Sequence, residues 1–121
     1  MKKILIVDDN PDMRSLLRDI LEDRYQIVEA DSGEGLIEKA KGENPDLIIT
    51  DVMMKGMMSA YGAIEKLKLL GIQVPIILFS GIVKDERTHE ILKPFPKSYF
   101  LAKPFDKNEL LKKIEELLSE K

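Results

Sequence analysis

Apolar positions along this chain fall into two alternating kinds of segment, and the alternation predicts an architecture. Short runs dense in Ile, Leu, Val and aromatic residues occur at residues 4–7, 25–30, 47–51, 74–80 and 98–102. Between them lie longer stretches whose apolar residues recur three or four apart, the spacing of one helix face. The pattern is that of repeated βα units, which makes an α/β chain. Ile4-Leu5-Ile6-Val7 is a nearly unbroken apolar run, as expected of a central parallel strand covered on both faces by helices.

Local signals place the helices. Asn10 followed by Pro11 reads as an N-cap with proline at the first helical position, and Met13, Leu16, Leu17, Ile20 and Leu21 make one stripe on a helix reaching about Arg24. Ser32-Gly33 turns the chain toward a second helix that carries Leu36, Ile37 and Ala40 and ends at Gly42. A loop over residues 52–59 leads to a third helix through Ile64, Leu67 and Leu70, stopped by Gly71. Residues 85–93 predict a short fourth helix, cut off by Pro94 and Pro96. Asp106 and Glu109 match a capping box opening the last helix, with Leu110, Leu111, Ile114, Leu117 and Leu118 toward the core. The expectation is one domain over residues 1–121, a doubly wound five-stranded parallel sheet with five helices and right-handed crossovers. In such sheets ligands bind beyond the carboxyl ends of the strands, where strand order reverses.

Composition narrows the chemistry. A chain of 121 residues, 44% apolar and 34% charged, suits a globular domain with a single core. Cysteine is absent and His89 is the sole histidine, which excludes disulfides, thiolate metal sites and histidine clusters and favours a reducing, cytoplasmic setting. No apolar run approaches the roughly twenty residues that span a bilayer. Met1-Lys2-Lys3 leads into a strand with no secretory pattern behind it. The net charge of −3 gives no electrostatic footprint for direct contact with nucleic acid.

Asp8-Asp9 follow the first strand, Asp51 ends the third, Ser80 ends the fourth and Lys103-Pro104 follow the fifth. A parallel sheet gathers these ends at one edge, so three carboxylates, a hydroxyl and an ammonium can share a pocket. The carboxylates repel one another there unless a cation or a raised pKa relieves them. Magnesium suits the purpose, being a hard ion that binds one or two carboxylates together with phosphate oxygens and water.

Together these residues resemble the receiver domains of two-component signalling, and the resemblance covers essentially the whole chain. It implies the flavodoxin-like strand order 2-1-3-4-5. It also implies that Asp51 takes a phosphoryl group from a histidine kinase or phosphotransfer protein, as an aspartyl phosphate. Asp8, Asp9, Asp51 and the backbone carbonyl of Met53 would hold Mg2+ or Mn2+, Lys103 and Ser80 would contact phosphoryl oxygens, and the Lys103–Pro104 peptide would be cis. Ser80 and Phe100 would form the switch that presents a face to a downstream protein or effector domain. Such a chain is a regulatory phosphoacceptor and not an enzyme in its own right, working as a monomer or weak homodimer. The alternative is a receiver-like module that binds protein without phosphate.

Rival folds with related chemistry fit less well. A haloacid-dehalogenase phosphatase needs a second acid two residues after its nucleophile, where Met53 follows Asp51 and Asn10 follows Asp8. A flavodoxin needs a hydroxyl-rich phosphate loop where this chain has Asp8-Asp9-Asn10, whose acidity repels a phosphate. Within the receiver pattern, the loop after Asp51 departs by lacking the usual proline four residues on, where Lys55 stands, and by carrying Met53, Met54, Met57 and Met58. By the same resemblance, Met53 and Ile82 lie at positions that tune phosphate loss, and both are apolar. Met53→Asn and Ile82→Glu should therefore shorten the phosphoryl lifetime, followed by loss of the phosphorylated mass with time; slower loss in either variant than in wild type counts against this.

Overall fold

The run Ile4 to Val7 forms an inner strand of one parallel sheet, with all four residues fully buried. The structure is a computed structural model that describes residues 1–52, 58–80, 90, 92–95 and 97–119. Its elements in chain order are β1 (Lys3–Val7), α1 (Pro11–Leu21), β2 (Gln26–Ala30), α2 (Gly33–Glu43), β3 (Leu47–Asp51), α3 (Ala60–Leu69), β4 (Ile76–Ser80), β5 (Tyr99–Ala102) and α4 (Lys107–Leu118). The strand order is β2-β1-β3-β4-β5, as the receiver resemblance implies. Four helices stand among the described residues; the expected helix over residues 85–93 falls for the most part outside them.

The two-residue period of the strands divides the core between two faces. Ile4, Ile6, Leu47, Ile49, Ile77, Phe79 and Leu101 pack with Leu17 and Leu21 of α1 and with Leu110 and Ile114 of α4. On the opposite face Leu5, Val7, Ile48, Ile76 and Leu78 pack with Leu36 and Ala40 of α2 and with Ala63, Ile64 and Leu67 of α3. Residues that alternate along one strand therefore belong to different layers. A displaced strand disturbs both.

The caps follow the sequence in outline and differ in detail. Asn10 caps α1 by accepting from the Asp12 N–H at 2.8 Å, with Pro11 at the start of the helix. That helix stops at Leu21 and not near Arg24, because the Arg24 and Tyr25 amides both return to the Leu21 carbonyl and turn the chain into β2. Leu16, expected in the apolar stripe, is 47% exposed, since the buried stripe centres on Leu17 and Leu21. Helix α2 runs through Gly42 to Glu43 and ends at Asn44 in the left-handed region (φ 51°), directly before Pro45. Asparagine tolerates that conformation, and proline cannot continue the helix. Gly71 takes a positive φ of 76° after α3, as expected, but Leu70 is the half-exposed cap and not a core residue. Asp106 caps α4 as expected. The Glu109 carboxylate accepts from the Tyr99 hydroxyl at 2.9 Å, tying α4 to β5.

Two glycines of α2 have opposite surroundings. A Cβ on Gly33 would stand 2.5 Å from the backbone oxygen of Met58, where the chain entering α3 crosses the head of α2, whereas a Cβ on Gly42 meets nothing within 4 Å. Gly33→Ala should lower the unfolding free energy by about 1–3 kcal/mol through overpacking against backbone. Gly42→Ala should raise it by about 0.5–1 kcal/mol through helix propensity. Urea denaturation of both variants checks the contrast.

Candidate functional site

Register brings the strand ends together. Val7 pairs with Ala30 on one side and Thr50 on the other, Asp51 pairs with Phe79, and Ser80 pairs with Ala102. Asp8 therefore leaves β1 level with the end of β3, and Lys103 leaves β5 beside the end of β4. Beyond β1 the chain crosses to β2 on one side, while β3 pairs on the other, so the acidic residues sit where strand order reverses.

The oxygens that Asp8, Asp9 and Asp51 can offer a metal all lie within 4.8 Å of one another. Asp8 and Asp51 are buried, at 1% and 6% exposure, and Asp9 is half-buried. Asp8 is held on three sides: its N–H donates to the Ala30 carbonyl at 3.1 Å, its Oδ1 accepts from the Asn10 N–H at 2.9 Å, and its carbonyl accepts from Arg14 Nη1 at 2.7 Å. Its Oδ2 is buried with no hydrogen-bond partner among the described residues. Burial raises the Asp8 pKa; the Asn10 N–H lowers it in part, and the Asp51 charge raises it further.

Lys103 answers the cluster from the far strand. Its Nζ donates to Asp51 Oδ2 at 3.1 Å and lies 4.9 Å from the centre of the Phe79 ring. Phe79 meets Phe105 edge-on, with ring centres 6.2 Å apart. The ammonium is thus fixed between an anion and an aromatic face. The Lys103–Pro104 peptide is cis.

The sequence signature of the response regulator receiver domain matches residues 4–115. The chain belongs to the response regulator receiver family. Its relatives include the chemotaxis protein CheY of Halobacterium salinarum, 32% identical over 98% of this chain and 98% of that protein. The CheY of Bacillus subtilis is also 32% identical, over 97% of this chain and 98% of its own length. The sensor histidine kinase TmoS of Ectopseudomonas mendocina is 35% identical over 98% of this chain, which spans only 12% of that longer protein. Among solved structures, chemotaxis protein CheY4 of Vibrio cholerae superposes with a TM-score of 0.84 at 27% identity, over 97% of this chain and 98% of that one. This is a receiver domain of two-component signalling, with the parallel sheet of the flavodoxin-like class.

The receiver's expected residues fare unevenly. Asp8, Asp9, Asp51 and Lys103 come together at one edge. Ser80 ends β4 beside Ala102, but its side chain lies outside the described residues, as does Met53. Phe100 is half-buried and packs on the α2 and α3 side of the sheet. Sequence reasoning missed Arg14, Arg18 and Glu29, which form an ion-pair cluster behind Asp8. Two arginines four apart on α1, and an acid between Val28 and Ala30 in strand 26–30, were the available signal. No helix among the described residues is long and apolar enough to cross a membrane.

The acidic cluster fits a hard divalent cation: its donors are carboxylate oxygens, and Asp8 Oδ2 is a buried oxygen with no hydrogen-bond partner among the described residues. Without a cation the cluster burdens the fold. A carboxyl whose folded pKa is raised holds its proton more tightly in the folded state, so its contribution to stability falls as pH rises through the window above the usual carboxylate value. Asp8→Asn should therefore raise the unfolding free energy of the metal-free protein at pH 7, by about 1–3 kcal/mol for a relieved buried charge. It should also flatten the loss of stability between mildly acidic and neutral pH, both read from urea midpoints across pH.

Proposed function

We propose that the chain is a phosphoacceptor switch in which Asp51 receives a phosphoryl group from a histidine kinase or phosphotransfer protein. The observation that carries the reading is the placing of one lysine ammonium on the acceptor carboxylate, 3.1 Å from Asp51 Oδ2, inside a cluster of three acids. An Asp51 oxygen attacks the phosphorus of the donor, the donor's P–N bond breaks, and the released imidazole nitrogen takes a proton. Asp51 becomes an acyl phosphate, an established form of carboxylate catalysis. Asp8, Asp9 and Asp51 would hold Mg2+ or Mn2+, with the backbone carbonyl of Met53, which lies outside the described residues, as the further expected ligand. When bound, the ion supplies positive charge against the oxygens of the transferring group.

Lys103 contributes a compact point charge that follows the phosphoryl oxygens once the acceptor carboxylate is esterified. Phe79 supports this role by giving the lysine a second hold on the sheet. Ser80 receives another phosphoryl oxygen, and Phe100 relays the change toward the output face, a two-state element biased by one new charge. The chain turns over no substrate of its own. Residues 1–121 act as one domain, in the cytoplasm, with a downstream protein or effector domain as the output.

Incubation with acetyl phosphate, read by intact mass, should add one phosphoryl group to wild type with magnesium and none without it. Asp51→Asn should remain unmodified, and Lys103→Ala should react about 10²-fold more slowly, the typical cost of one charge-stabilising donor. No gain in wild type under any divalent cation overturns the reading in favour of a phosphate-independent binding module.

A further inference from the structure

Arg14 makes two connections at once behind the acidic cluster. Its Nε donates to Glu29 Oε1 at 3.0 Å, and its Nη1 donates to the Asp8 carbonyl at 2.7 Å. The second Glu29 oxygen accepts from Arg18 Nε at 2.6 Å, so two guanidinium groups of α1 hold one carboxylate of β2. Burial alone raises the Glu29 pKa, but the hydrogen bonds from Arg18 and Arg14 outweigh it and keep the carboxyl below the usual range. Glu29 is therefore a firmly ionised anchor at neutral pH. Because a guanidinium is planar and rigid, fixing its Nε also fixes where Nη1 points.

That fixed point is the main chain of a cluster residue. With the Asp8 N–H on Ala30 and Oδ1 on the Asn10 amide, the Arg14 contact completes a three-sided hold, and each contact leaves Oδ2 for the pocket. We infer that Arg14, locked on Glu29, is a positioning residue for divalent-cation binding: it fixes the Asp8 backbone and so sets the aim of the Asp8 and Asp9 carboxylates. The inference rests on reading the cluster as the cation site.

The charge of Arg14 acts in the opposite sense. A guanidinium near the pocket repels a divalent cation, and removing it leaves Glu29 paired with Arg18 alone, with one positive charge fewer behind the cluster. Charge alone therefore predicts tighter binding when Arg14 is neutralised. Positioning predicts weaker binding.

The test is calorimetric titration of Mg2+ into wild type, Arg14→Gln and Arg14→Lys, well below their unfolding midpoints. Arg14→Gln should bind about tenfold more weakly, as when a partner that orients a metal ligand is lost. Arg14→Lys keeps the charge, but its single ammonium cannot reproduce the fork, and it should weaken binding similarly. At saturating Mg2+ the acetyl phosphate reaction of both variants should return to the wild-type rate, the split expected of a residue that acts through affinity. Equal or tighter binding in the variants overturns the inference while the cation site stands, and if Arg14→Gln does not fold, Arg14→Lys decides alone. A wild type that binds no Mg2+ overturns both readings together.

Discussion

Mutual repulsion among three carboxylates is the constraint on which the rest of this molecule depends. Their oxygens lie within 4.8 Å of one another, two of the residues are buried, and Asp8 Oδ2 has no hydrogen-bond partner among the described residues. A flexible chain would separate such groups. Here each acid sits at or just beyond the end of a strand whose other residues are packed on both faces, so relaxing the acids means shifting the central strands. The two apolar layers against α1 and α4 and against α2 and α3 hold the cluster together. The cluster in turn leaves a strained electrostatic balance that a cation, a proton or a phosphoryl group can alter.

What was legible in the sequence was whatever depends on period and on strand ends. The run Ile4 to Val7 announced a central strand because only burial on both faces tolerates it. Asp8, Asp51 and Lys103 were legible because a parallel sheet brings strand ends to one edge whatever the loops do. Periodicity gave the apolar stripe of α1 but not its width, which is why Leu16 is exposed beside the buried Leu17. Helix ends were less legible still. Gly42 and Asn44 both tolerate a left-handed turn, and the choice between them was made by Pro45, which bars helix one residue later.

The hold of Arg14 on Asp8 was hidden for a different reason. Its acceptor is a backbone carbonyl, which every residue owns, so no residue type marks it. The contact also requires α1 to lie at one angle across β1 and β2, with Arg14 and Arg18 both reaching Glu29. Tertiary packing sets that angle. The family resemblance concerns the side chains expected to meet a metal or a phosphoryl group, whereas Arg14 meets one of those residues at its main chain.

Beside the acids, β5 joins the edge to both faces of the sheet. Its period of two sends Tyr99 toward α4, where its hydroxyl meets Glu109 and its ring lies 4.4 Å from the Lys113 ammonium. Phe100 turns to the opposite layer, and Lys103, just past the strand, reaches Asp51 and the Phe79 ring. Phe79 belongs to β4 and is fully packed, so the lysine bridges two strands through an anion and a ring. Under the proposed reading, esterifying Asp51 would replace the carboxylate charge with phosphoryl charge beyond it and so change the pull on Lys103. On that phosphoacceptor reading, a strand that carries one aromatic to each face would pass a changed pull on Lys103 to both layers of the core.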